Sequence, residues 1–167
     1  QGSAPCITFN DVDNEAVSIE AARTIYGVVL DSSGMADAGQ TQSLRQAIRR
    51  ARLDGARKPA AAVKKLSAAI DSLATENLAI RIEGGEARFS CPGCAADLGP
   101  SSDNYKHFCA RHDAPIESAN AIIGDPARFI DARPVFRQFF CPGCGRLIEN
   151  EVALEGDPLL RDIELKT

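Results

Sequence analysis

The chain has 167 residues and a formal net charge of −4, a balance that disfavours general nucleic-acid binding. No apolar run approaches the roughly 18 residues needed to span a membrane, and no charged-then-apolar leader is present, so a cytoplasmic protein is expected. Hydrophobic residues make up 44%, but 26 residues are alanine and none is tryptophan, so the private core is thin and the chain is expected to gain from packing against something else.

Gln1-Gly2-Ser3, with no initiating Met, is expected to be a processing or cloning remnant. Ser18 can cap a short helix through Ala21, Ala22 and Ile25, stopped by Gly27. Val28-Val29-Leu30 forms a brief strand-like run before the turn Asp31-Ser32-Ser33-Gly34. Asp37 with Gln40 resembles a capping box, opening a helix striped by Leu44, Ala47, Ile48 and Ala51 and ended by Asp54-Gly55. Pro59 suits the first turn of a second helix, striped by Val63, Leu66, Ile70 and Leu73. The two would make a helical hairpin.

After Thr75 the period changes to two. Leu78, Ile80 and Ile82 alternate, Gly84-Gly85 turns, and Ala87 and Phe89 lead into Cys91-Pro92-Gly93-Cys94. Val135-Phe136 and Phe139-Phe140 lead into Cys141-Pro142-Gly143-Cys144, and Leu147-Ile148 and Val152-Ala153-Leu154 come back out. The insert between the two tetrapeptides carries Pro115, Pro126 and Pro134 and reads as a loop with one short helix near Glu117 to Ile123. The tail from Gly156 to Thr167 reads as acidic and extended.

Each Cys-Pro-Gly-Cys is a tight turn that presents two thiolates on one side, half of a tetrahedral site. Two halves separated by 46 residues predict a structural zinc site of the ribbon type on Cys91, Cys94, Cys141 and Cys144. Gly145 extends the second turn with a residue that tolerates positive φ and lets backbone amides point at sulfur. Six cysteines also allow disulfides, but the chain is large enough to fold without staples. Cys-x-x-Cys is a thiol-exchange motif as well, yet that motif belongs at a strand-to-helix junction and neither copy opens a convincing helix. With sulfur at all four positions no site is left for substrate or water, so the ion would hold structure and no catalytic residue is assigned. His107, Cys109 and His112 could replace one sulfur, hold a second metal or supply a Cys/His pair; the alternative is a surface loop with ordinary histidines and a free thiol. Cys6 reads as a lone thiol.

The fold class is therefore α+β. A mainly helical docking segment spans residues 1–76, a zinc-ribbon-like β domain with a long insert spans 77–155, and an extended tail spans 156–167. Between Arg45 and Lys65 eight basic residues accompany one acid, Asp54, whereas residues 86–167 hold nine bases and thirteen acids. A zinc ribbon beside a basic hairpin is the pattern of a nucleic-acid binder, but the acidic second half would repel phosphate. Docking to an acidic partner and plain solvation rank above it.

Cys91-x-x-Cys94, Asp103-Asn104-Tyr105-Lys106, Arg137-Gln138-Phe139-Phe140-Cys141-Pro142-Gly143-Cys144-Gly145 and the acidic stretch that follows resemble, from Phe89 to about Leu165, the small γ subunit of bacterial ATP-dependent acetone and acetophenone carboxylases. Val17-Ser18-Ile19-Glu20-Ala21-Ala22-Arg23, Tyr26-Gly27-Val28-Val29-Leu30 and the Leu44-Arg45 helix are similar to the C-terminal tail of hydantoinase B/oxoprolinase-type large subunits. Gly156-Asp157-Pro158-Leu159-Leu160-Arg161-Asp162 is similar to a motif that precedes that tail. The resemblance implies a hetero-oligomeric ligase that carboxylates a ketone, with ATP and Mg or Mn bound on larger catalytic subunits. This chain shows no glycine-rich phosphate loop and no acid pair assignable to chemistry, so its implied role is architectural.

Overall fold

The computed structural model describes residues 12, 14, 16–120 and 122–165; the expected lone thiol Cys6 lies outside them. Two compact units divide between Ala51 and Arg52, so residues 52–76, expected with the helical segment, fall in the β-rich unit. Among the described residues no helix is long and apolar enough to cross a membrane.

In the first unit, Ser18 Oγ accepts from the Ala21 N–H at 3.0 Å and opens α1 (Ile19–Thr24). Asp37 accepts the Gln40 N–H at 2.8 Å ahead of α2 (Ala38–Gly55), which supplies one orphan donor of a helix start with its partner. Asp31 gathers Ser33 and Met35 N–H groups into the expected turn, and Leu30 bridges Ala36 across it. Thr41 Oγ1 accepts from Val29 N–H at 3.0 Å, tying the connection to the helix.

The second helix of the expected hairpin does not form. Residues 56–71 run without regular structure into β1 (Ser72–Thr75), although their alanines favour helix. Tertiary demand overrides propensity here. The backbone behind the first cysteine turn needs partners, and this segment supplies them as extended chain: Leu66 N–H donates to Ala95 and Asp97 N–H to Lys64, each at 2.9 Å. Glu83 accepts the Ser67 and Ala68 N–H groups, and Arg81 binds the Ala68 carbonyl. A helix would withdraw all of those groups into its own ladder.

The strands form two antiparallel sheets. β1, β2 (Leu78–Glu83), β3 (Glu86–Ser90) and β4 (Asp97–Pro100) lie in the order β1-β2-β3-β4. β5 (Ala110–Pro115), β6 (Pro134–Phe140) and β7 (Leu147–Leu154) lie in the order β5-β6-β7. The predicted alternations become β2 and β3, paired Ile80 to Phe89, and the two apolar runs after the second turn merge into one strand, β7. The insert is more ordered than a loop with one helix: it carries β4, β5 and short 3₁₀ turns at Tyr105–Phe108, Ile116–Ala119 and Pro126–Arg128. β5 escapes a hydrophobicity pattern because its inward residues are only Ala110 and Ala114. One core cluster joins Leu78, Ile80, Phe89 and Leu98 of the first sheet to Phe139 and Ile148 of the second, with Cys91, Tyr105, Cys109 and Cys141 among them.

Candidate metal centre

Both cysteine turns begin where a core strand ends, and they are the same turn. Cys91 N–H donates to the Ala96 carbonyl at 2.9 Å while Ala95 N–H returns to Cys91 at 3.0 Å. In the second copy Cys141 N–H donates to Arg146 and Gly145 N–H to Cys141, both at 2.8 Å. The residue after the second thiol closes each turn with positive φ, 60° at Ala95 and 68° at Gly145. Glycine does this freely; for alanine it costs roughly 1–2 kcal/mol. The turns aim the N–H groups of Gly93, Ala96 and Arg146 at the sulfurs of Cys91, Cys94 and Cys144.

The two sheets bring all four Sγ atoms within 4.8 Å of one another. Cys91 lies 3.7 Å from Cys144, and Cys94 lies 3.5 Å from Cys141. Both separations are far beyond a disulfide bond of about 2.05 Å, and the cysteines are free thiols. Four bonds of about 2.3 Å to a tetrahedral ion would set the sulfurs about 3.8 Å apart. The donor set therefore fits a soft divalent ion. Hydrogen bonding from Cys141 holds the Cys91 thiol far below its ordinary value and Cys144 down at about 6. The neighbouring Cys144 and Cys91 push the Cys141 thiol far up. Thiols this close share their protons, and a cation placed among them would displace those protons to complete the thiolate set.

Each turn is also shaped to receive the other. A Cβ on Gly143 would lie 3.2 Å from Ala96 Cβ and 3.3 Å from Cys94 Sγ, and one on Gly93 would lie 3.3 Å from the Arg146 guanidinium. Glycine at these positions permits the close approach, and Arg146 brings a positive charge beside four sulfurs whose complex with a divalent ion is net negative. Cys91 and Cys141 are buried, whereas Cys94 and Cys144 are half-buried.

His107, Cys109 and His112 are not brought together. His107 is exposed, with Nδ1 3.3 Å from Asp103 Oδ1. His112 is exposed on β5, opposite Gln138. Cys109 is buried with Sγ 3.5 Å from the Tyr105 carbonyl, and burial pushes its thiol up, away from the thiolate a nucleophile needs. Among the described residues the four cysteines form the one group of three or more metal-ligating side chains.

Sequence reading missed a buried ionic network next to this centre. Lys106 and Arg137, with side chains 1% and 2% exposed, share Glu151, each at 2.8 Å. Asp162 from the tail lies 3.3 Å from Lys106. Burial alone would raise the Glu151 carboxyl, but hydrogen bonds from Lys106 and Arg137 hold it below its ordinary value. Charged residues ordinarily read as surface. The available signal was register: Arg137 occupies the inward position between Val135 and Phe139 on β6.

Comparison with known proteins agrees with this arrangement. A family model described as acetone carboxylase gamma subunit matches residues 67–167, well over half of the chain and all seven strands. The acetophenone carboxylase beta subunit of Aromatoleum aromaticum is 33% identical over 78 residues, covering 45% of this chain and 60% of that protein. The chain thus spans about three fifths of the length of the curated relative it matches. With both turns, both sheets and the tail inside the matched region, the chain belongs to the acetone carboxylase gamma subunit family.

Proposed function

We propose that this chain is the structural, zinc-binding small subunit of an ATP-dependent ketone carboxylase of acetone or acetophenone type, and that it supports assembly of larger catalytic subunits. Cys91, Cys94, Cys141 and Cys144 would hold the ion. The observation that carries the reading is the convergence of four sulfurs from two separate sheets, in a chain whose family is that of a carboxylase subunit. When bound, the ion supplies cross-linking of the two sheets and no open position for chemistry. ATP, Mg or Mn, and the ketone would bind on the partner subunits, and the chain itself is not the catalyst. Large exposed apolar side chains support a chain built to dock: Ile122 is 90% and Phe129 83% exposed on the insert.

Native purification with elemental analysis tests both halves. The expected result is one zinc per chain and two larger subunits that travel with it. Cys141→Ser is expected to lose the ion and the partners together, because removing one sulfur frees the second turn from the first. An assembled, active complex without zinc refutes the structural role, and a chain that runs alone with carboxylation activity of its own refutes the subunit reading.

A further inference from the structure

The C-terminal segment is held in an unusual way. Between Pro158 and Leu165 it takes no strand or helix, and among the described residues no backbone-to-backbone hydrogen bond anchors it. Side chains of the body grip its main chain instead. Arg137 donates to the carbonyls of Leu154, Asp157 and Pro158 at 3.2, 2.7 and 3.2 Å. Lys106 donates to the Leu160 carbonyl at 2.9 Å, and Asn104 donates to the Leu159 and Leu160 carbonyls. Glu151 accepts the Leu160 N–H at 3.2 Å, and Tyr105 donates to Asp162 at 3.1 Å. Two buried cations therefore depend on the segment for part of their coordination, and Arg137 Nε has no hydrogen-bond partner even so.

The same segment touches the metal centre's foundations. Leu159, Ile163 and Leu165 pack against the core cluster that contains Cys91 and Cys141. Lys106 Nζ sits 5.3 Å from the Phe139 ring centroid and 5.9 Å from that of Tyr105, which meets Phe89 edge-on at 5.6 Å. Phe89 and Phe139 each lie two residues before a cysteine turn. An ion shared by turns on two different sheets is released more readily when those turns part, and the cluster under the segment packs residues of both sheets together. A segment outside both sheets, fixed by side-chain hydrogen bonds and three apolar contacts, is of the kind that opens locally without unfolding of the sheets.

We propose that residues 157–165 form a detachable strap, seated in a groove made by Asn104, Tyr105, Lys106, Arg137 and Glu151, whose opening sets the rate at which the four-cysteine centre releases its ion. Lys106 is its positioning residue. The inference rests on the zinc reading above and deepens it, from which residues hold the ion to what governs its exchange.

The test uses the full-length, zinc-loaded chain. Release into excess chromogenic chelator is followed well below the unfolding temperature, alongside amide hydrogen exchange over residues 157–165. Lys106→Met and Asp162→Asn are expected to load one zinc as the wild type does. Exchange in the strap and zinc release are expected to rise in parallel, by about ten-fold or more for Lys106→Met, the effect of losing hydrogen bonds from a charged group. A smaller rise is expected for Asp162→Asn, whose side chain is 27% exposed; that variant carries the test if Lys106→Met folds poorly. A merely structural role lowers the melting temperature and leaves native-state release unchanged, and that result overturns the proposal, as does faster release without faster exchange in the strap. A wild-type chain that binds no zinc overturns the metal reading itself, whereas a zinc-loaded chain whose release ignores the strap overturns this inference alone.

Discussion

Ala95 and Gly145 occupy the same position in two copies of one turn, and exchanging their identities should move stability in opposite directions. At φ 60° the Ala95 side chain costs roughly 1–2 kcal/mol relative to glycine. Glycine in its place loses about 0.4–1 kcal/mol more on folding, because the unfolded chain is freer. The net gain expected from Ala95→Gly is therefore about 0.5–1 kcal/mol, or a melting temperature higher by about 1–4 °C at this chain length. Gly145→Ala at φ 68° reverses the sign with at least the same magnitude, since any contact of the new methyl adds to the backbone cost. Thermal unfolding of the metal-loaded variants, with metal content measured beforehand, reads both. The reasoning is refuted if Ala95→Gly destabilises the chain or Gly145→Ala leaves it unchanged, because the positive φ would then not be the strained feature of these turns.

Two further substitutions probe the packing around the centre. Gly99 has φ 93°, and a Cβ there would lie 2.4 Å from Phe108 Cε2, so Gly99→Ala should cost about 2–4 kcal/mol in chemical denaturation, against about 1–2 kcal/mol at Gly84, where φ is 61° and no atom lies within 4 Å. Glu151→Gln strands two buried cations and should cost about 3 kcal/mol, the low end for a broken buried pair because Asp162 remains beside Lys106. The Glu151 carboxyl is held below its ordinary value of 4.5, so its contribution is complete above that value and is lost as pH falls through the lower, folded value. The stability difference between wild type and Glu151→Gln should accordingly be constant near neutrality and shrink in acid; a difference that grows on acidification contradicts the assignment.

The centre was legible because its chemistry is local. Two Cys-Pro-Gly-Cys turns and the trailing Gly145 specify sulfur pairs, their spacing and one backbone conformation without reference to the rest of the chain. The Ser18 cap, the Asp37–Gln40 helix start and the Gly84-Gly85 hairpin were legible for the same reason. What failed was what depends on distant partners. Residues 59–73 carry a helical stripe, yet Ala95 and Asp97 need extended chain beside them, and Val63, Ile70 and Leu73 end largely exposed. β5 has only alanines to mark its inner face. Lys106 and Arg137 look like surface residues until the tail is seen to cover them.

A thin apolar core explains why two non-hydrophobic clamps occur in one small unit. The largest fully buried side chain is Arg137, and the buried aromatic residues behind it are Tyr105, Phe89, Phe139 and Phe140. Alanine contributes little transfer free energy per residue, so long-range contacts must come from elsewhere. The four sulfurs bring residues 91–94 up to 141–144, where a shared ion would join them, and the ionic network joins residues 106, 137, 151 and 162. Both clamps fix distant parts of the chain by a few directional contacts and leave large apolar side chains such as Ile122 and Phe129 outward. Those outward residues would weaken a free-standing protein by inviting aggregation, whereas on the subunit reading proposed above they would be a surface by which association adds stability to the fold. On that proposed reading, specific clamps inside and apolar groups outside both follow from one requirement, stability in company.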